Sequence, residues 1–187
     1  IEIDAAGLFA GLARDLSALR GPGDAIAKMA LAASADEIRH ARLCDAILAS
    51  SPVRYSHPES QPPIELGPSG LKRGERILYT CMALGCETLS AALLIEMREK
   101  AQPELIKRTV HEILTDEVDH SRIGWAELAR ASRESDVSWL SGHVKEMIDE
   151  ALRSDVGPML STTEAEVDLS PWGILSPVRA RELVAAA

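Results

Sequence analysis

The sequence predicts an all-α protein: a four-helix bundle with one long crossover, followed by C-terminal helices. Three observations lead there. Ala and Leu are abundant, while the aromatic residues that suit strands are scarce, with one Phe, two Tyr and three Trp in 187 residues. Apolar residues recur at spacings of three and four instead of alternating. Breakers cut the chain into long pieces joined by two short turns and one long connector.

The elements follow in order. A first helix is expected over about residues 2–19, ended by Gly21-Pro22-Gly23. Asp24 is a good N-cap for a second helix running to about Ser50. Residues 51–70 hold five prolines and two glycines and show no periodicity, so they read as a connector. A third helix is expected over about 71–101 and a fourth from Pro103, in its first turn, to about Ser132. A fifth is expected over 136–153, an irregular stretch over 155–171, and a short last helix after Ser176-Pro177. Twenty extended residues reach roughly 65 Å, and a helix of about 27 residues is roughly 40 Å long. The connector can therefore cross the bundle and start the third helix parallel to the second. The expectation is one domain over 1–187, with the bundle at about 2–132 and an extension at about 133–187.

Composition narrows the function classes. Apolar residues make up 46% and charged residues 26%, with a net charge of -9 and mean hydropathy of -0.02. No basic run or aromatic-basic patch is present, so nucleic acid is not an expected partner. Cys44, Cys81 and Cys86 lack C-x-x-C spacing and read as reduced core thiols. No signal-peptide pattern opens the chain, although the true N-terminus is expected upstream of Ile1. The run Ile77–Ile95 has the length of a membrane span, but Glu87 stands at its middle. A cytoplasmic protein without a membrane segment is expected.

Four core-facing stripes carry the chemistry. They run Glu2, Ala5, Phe9, Leu12, Leu16, Leu19; then Ile26, Ala30, Ala33, Glu37, His40, Cys44, Ile47; then Ile77, Thr80, Leu84, Glu87, Ala91, Leu94; then Ile106, Val110, Ile113, Glu117, His120, Gly124. Each stripe is apolar or small except at one level. The exceptions are Glu2, Glu37 with His40, Glu87, and Glu117 with His120. Glu87 lies fifteen residues before Gln102 and Glu117 fifteen after it, so antiparallel helices would bring them to similar heights. Glu2 is nineteen residues before Gly21 and Glu37 fourteen after Gly23, a looser match. Burying four carboxylates together is expensive unless something neutralises them. No Lys or Arg occupies the stripes at that level. Two divalent cations would balance four carboxylates, and imidazole suits the same ions. Glu and His three residues apart share one helix face.

The stretches Asp36-Glu37-Ile38-Arg39-His40 and Asp116-Glu117-Val118-Asp119-His120, with Glu2 and Glu87, resemble the ferritin-like superfamily of di-iron carboxylate proteins. The bundle part of the resemblance covers about residues 2–132, and the tail resembles small bacterial ferritin-like proteins of unassigned activity. The resemblance implies two iron ions, with Glu37 and Glu117 bridging, Glu2 and Glu87 as terminal ligands, and His40 and His120 each holding one iron. It implies that Asp36 and Asp116 orient the histidines of the facing helix. Arg39 is expected to pair with a carboxylate at the rim. Asp119 departs from the family's frequent Arg, so the resemblance implies no arginine-centred network on that side.

Plainer roles are expected elsewhere. His111 reads as a surface residue, and His57 and His143 lack ligand spacing. Cys44 reads as core, and Tyr79 and Trp125 as core packing more than redox groups. The resemblance implies an O2-activating oxygenase or oxidase acting on a small organic substrate, with O2 as co-substrate and an external electron donor. Ferroxidase activity with iron handling is the alternative, and Mn or a mixed Fe/Mn pair would suit the same ligands. Small residues one turn from the ligands, Ala5, Ala6, Ala33, Ser34, Ala83, Ser90, Ala91 and Gly124, together with Phe9, are candidate pocket positions. Close helix approach is their other use. The tail could cover the pocket or support a homodimer.

Overall fold

A computed structural model describes residues 2–50, 66–85, 88–151 and 168–186. The connector over 51–65, with His57, and Cys86, Glu87 and residues 152–167 lie outside the described residues. All elements among the described residues are helices, so the all-α expectation holds. The chain divides into two compact units, Ile1–Cys81 and Met82–Ala187.

The first unit is built on a hairpin of α1 (Glu2–Arg20) and α2 (Ala25–Ser50). Gly21 takes φ 93°, the left-handed conformation that ends a helix at low cost for glycine, and its N–H donates to Ser17 O at 2.8 Å. Asp24 caps α2 as expected, its Oδ1 accepting from Ala27 N at 2.8 Å. Arg20 closes on the same carboxylate at 3.3 Å. Phe9, Leu12 and Leu16 of α1 and Ile26, Ala30 and Ala33 of α2 are buried. Leu19 departs from its predicted stripe and is 44% exposed, in the last turn of α1 beside the loop. Cys44 and Ile47 are only half-buried, near the far end of α2. Ser34 Oγ donates to Ala6 O at 2.8 Å, tying α2 to α1.

α3 (Arg73–Leu84) begins with half of a capping box, Lys72 N donating to Glu75 Oε2 at 2.8 Å. Its residues Ile77, Leu78, Tyr79 and Cys81 are buried. Gly67, at φ 92°, lies against the Tyr79 ring, and a Cβ there would stand 2.8 Å from Tyr79 Cδ1.

The second unit centres on α4 (Thr88–Lys100) and α5 (Glu104–Glu134). Pro103 is the N-cap residue and not a first-turn residue, with φ -64° and ψ 126°. The expected third helix is described as two segments, α3 and α4. Arg73–Lys100 is long and apolar enough to cross a membrane by length and composition, and 40% of its most apolar window is buried. The expected fifth helix opens as a 3-10 helix, Ser138–His143, before α6 (Val144–Ala151). Asp136 accepts from Ser138 N at 2.9 Å and Ser138 Oγ at 3.0 Å, and this local bonding competes with an α-helical start.

The C-terminal strap then returns to α4. A 3-10 turn, Ser170–Trp172, leads to α7 (Pro177–Ala186), capped by Ser176 Oγ accepting from Arg179 N at 3.2 Å. Gln102 N donates to Pro171 O at 2.7 Å. Leu175 and Ala180 bury against Leu93 of α4, with Met97, Leu183 and Val184 around them. Arg179 reaches both oxygens of Glu96, at 3.2 and 3.3 Å.

Candidate metal centre

Both near-repeats fold as helix with the motif residues inward. In the first unit Glu37 is 1% exposed and His40 is fully buried. His40 Nδ1 lies 3.3 Å from Glu37 Oε2 and 4.0 Å from Glu2 Oε2. Glu2 sits in the first turn of α1, with its side chain 28% exposed. The ligand atoms of Glu2, Glu37 and His40 all lie within 4.8 Å of one another. Two ligands each about 2.1 Å from one ion stand about 3 Å apart when adjacent and about 4.2 Å apart when opposite. Carboxylate oxygens and an imidazole nitrogen at these separations therefore fit a divalent cation after small side-chain movements.

In the second unit Glu117 and His120 are likewise buried, and His120 Nδ1 lies 3.5 Å from Glu117 Oε2. The same Glu-x-x-His offset has produced the same local geometry twice, because residues three apart overlie one another on a helix. Gly124, one turn on, is buried, and its Cα is 3.5 Å from where a Cβ on Gly85 would stand. Glu87 lies outside the described residues.

The surrounding charges sort differently. Arg39 NH2 pairs with Asp36 Oδ1 at 2.8 Å, with both side chains about a third exposed, which is the expected rim pair. Asp116 is half-buried. Asp119, where the first motif has Arg39, pairs with Arg122 at 2.6 Å on the surface. Burial pushes the Cys44 thiol up to about 11, with the Glu2 and Asp45 carboxylates adding to the effect. A thiol so raised is protonated near neutrality and is a poor nucleophile or ligand in that state. Cys81 is buried as expected.

The candidate pocket positions divide between buried and half-buried residues. Ala6, Phe9, Ala33 and Ser34 are buried, Ala5 is half-buried, and the Ser34 hydroxyl is bonded to the Ala6 carbonyl. In the first unit these residues serve close approach of α1 and α2. A cavity of about 270 Å³ in that unit opens nearer the hairpin turn, between Ala10, Ala13 and Ser17 of α1 and Ala27 and Leu31 of α2. Ala83, Ser90 and Ala91 of the second unit are half-buried.

Among the plainer assignments, His111 is exposed, with Arg98 at 3.3 Å. His143 contacts Glu146 at 3.3 Å and stands edge-on to Trp139. Tyr79 is buried as expected, whereas Trp125 is 62% exposed and does not pack in the core. Trp125 lies one residue after the buried Gly124 and eight after Glu117, a rotation of about 80° from the inward face.

One inward charge was missed. Glu127 is fully buried and holds Arg130 in a bidentate pair, Nε to Oε2 at 3.1 Å and NH2 to Oε1 at 2.6 Å. Arg130 also donates to Glu134 at 2.6 Å and is held above its ordinary pKa, chiefly by Glu127. The signal was available: the stripe Ile113, Glu117, His120, Gly124 continues at Glu127 and Ala131, with an arginine three residues on. No family model, curated protein or solved structure matches the chain.

Proposed function

We propose that the chain is an O2-activating di-iron oxidoreductase of the ferritin-like four-helix type, acting on a small organic substrate. One observation carries the reading: two Glu-x-x-His motifs, 80 residues apart, each turn a carboxylate and an imidazole inward on a helix. Glu2 completes a three-donor group in the first unit. In this reading the metal ligands are Glu2, Glu37, His40, Glu87, Glu117 and His120. Two ferrous ions, if bound by these residues, would supply the electrons for reduction of O2. The protein's part is to present the donors on its helices and to limit water around them. Asp36 and Asp116 would orient the histidines. Manganese in one or both positions is compatible with the same donors.

The test is anaerobic titration with Fe(II), scored by calorimetry and elemental analysis, followed by measured O2 uptake with candidate substrates. Two ions per chain are expected, and Glu37→Ala or His120→Ala should each remove at least one. Two ions still bound in either variant would refute the site.

Iron handling is the second reading, favoured by the burial of Phe9, Ala33 and Ser34 and by the bond from Ser34 to the Ala6 carbonyl, which use candidate pocket positions for packing α1 against α2. A closed shell of roughly a dozen or more subunits would support it over the enzyme.

A further inference from the structure

The hairpin of α1 and α2 holds a cavity that the proposed metal centre does not use. It has a volume of about 270 Å³ and lies between the two helices near their turn. The residue types there account for the space. Ala13 and Ala27 line it and are buried, at 6% and 3% exposure, and each offers only a methyl group. Ala10 and Leu31 add apolar wall, and Ser17 adds one hydroxyl. Two cations complete the lining, Arg14 from α1 and Lys28 from α2, and both are exposed. Such side chains lay their alkyl stems along apolar surface and keep their charged ends in water. The result is an apolar cleft with a few polar groups at its mouth, the usual make-up of a small-molecule site.

Neither cation is closely paired. Arg14 Nε stands 3.9 Å from Asp15 Oδ1, and those side chains are 78% and 51% exposed. Among the described residues no carboxylate pairs with Lys28. Asp24, four residues before it, already holds Arg20 and caps α2. The segment from Ala10 to Leu31 carries three cations and two carboxylates, so it is locally positive in a chain of net charge -9.

We propose that this cavity binds a small amphipathic carboxylate, with its alkyl tail between Ala13 and Ala27 and its head between Arg14 and Lys28. At ~30 Å³ each, about nine water-sized groups fit the volume, which suits a monocarboxylate of about six to eight carbons. Guanidinium and ammonium groups make charge-assisted bonds to a carboxylate, stronger than neutral ones. A small anion responds mainly to charges within about 8 Å, the Debye length at physiological salt. It therefore meets the positive segment. An anionic membrane would face far more of the chain, and the net charge of -9 counts against that occupant. The cavity is distinct from the metal donors on α2. Leu31, the lining residue nearest Glu37 in sequence, lies six residues before it, about 9 Å of helix.

The experiment is isothermal titration calorimetry of the full chain, prepared without metal. The probes are sodium octanoate, 1-octanol for the tail alone and sodium acetate for the head alone. Octanoate should bind at one per chain with Kd below about 1 mM, and octanol and acetate at least tenfold more weakly. Arg14→Gln and Lys28→Gln should each weaken octanoate at least fivefold. Ala10→Leu, which fills the cavity from an exposed position, should do the same. Lys145→Gln removes an exposed cation from α6 and should change nothing. Circular dichroism checks that each variant folds. No octanoate binding at about 5 mM, octanol bound as tightly as octanoate, or an affinity unchanged in both cation variants or in Ala10→Leu overturns the proposal. Flotation with phosphatidylglycerol vesicles tests the other occupant: vesicle binding that Lys28→Gln abolishes, by a chain that takes up no octanoate, assigns the cations to a lipid surface and overturns it. Glu37→Ala should keep the wild-type octanoate affinity, so this site stands or falls apart from the proposed metal centre. An affinity lost in Glu37→Ala would place the carboxylate at the metal donors and overturn the cavity assignment.

Discussion

Replacing Arg130 with Met separates a buried charge from its counterion while leaving the helix and the side-chain bulk largely intact. Glu127 has no exposed surface, and two of its contacts are the hydrogen bonds from the Arg130 fork. Breaking a buried pair by removing one partner costs about 3–5 kcal/mol. Arg130 itself is 28% exposed and sits on the same helix, so water can partly replace it, and roughly half of that cost is expected. The lost bond to the exposed Glu134 adds about 0.3–0.5 kcal/mol. Arg130→Met should therefore destabilise the protein by about 2–3 kcal/mol, which for a chain of this size is about 5–10 °C in Tm. Adding Glu127→Met should restore at least half of the loss, because the uncompensated carboxylate goes with it. The guanidinium's raised pKa means that the pair's contribution is complete below the ordinary arginine value and is lost only in strong alkali, so it should not vary between pH 6 and 9. Urea denaturation followed by circular dichroism, on the single and double variants, measures all of this. An Arg130→Met protein within about 0.5 kcal/mol of wild type, or a double variant no better than the single, would refute the reasoning.

Other expectations follow from single contacts. Gly67→Ala should lower stability by about 2–3 kcal/mol, combining the left-handed backbone penalty with a clash against the Tyr79 ring, and thermal melts would show it. Cys44, raised to about 11 by burial first, should react slowly with iodoacetamide at pH 8 and faster as pH approaches 11; site-resolved mass spectrometry that finds rapid labelling at pH 7 would contradict this. Glu96 is held below the ordinary carboxylate value, first by its hydrogen bond from Arg179, so its contribution is present above that value and is lost as pH falls through the depressed one. Acid should loosen the strap from α4 before the rest of the second unit unfolds, seen as early hydrogen exchange over residues 177–186, and Arg179→Ala should produce that loosening at neutral pH.

Helix type, helix ends and the inward direction of the motif residues were legible in the sequence because they are local. Asp24 caps α2, Ser176 caps α7, and Glu37, His40, Glu117 and His120 turn inward because a 3.6-residue period places them on apolar faces. The start of α6 was less legible, since the Asp136 side chain draws Ser138 into a 3-10 start. What only the tertiary structure decided was where each face meets other chain. Leu19 and Trp125 are exposed although their types suggested core. The strap's choice of Leu175 over Ile174 as its inward residue depends on Leu93 and Met97, more than 70 residues earlier in the chain. A period fixes which residues share a face. Burial depends on what that face packs against, and that partner is set by contacts distant in sequence.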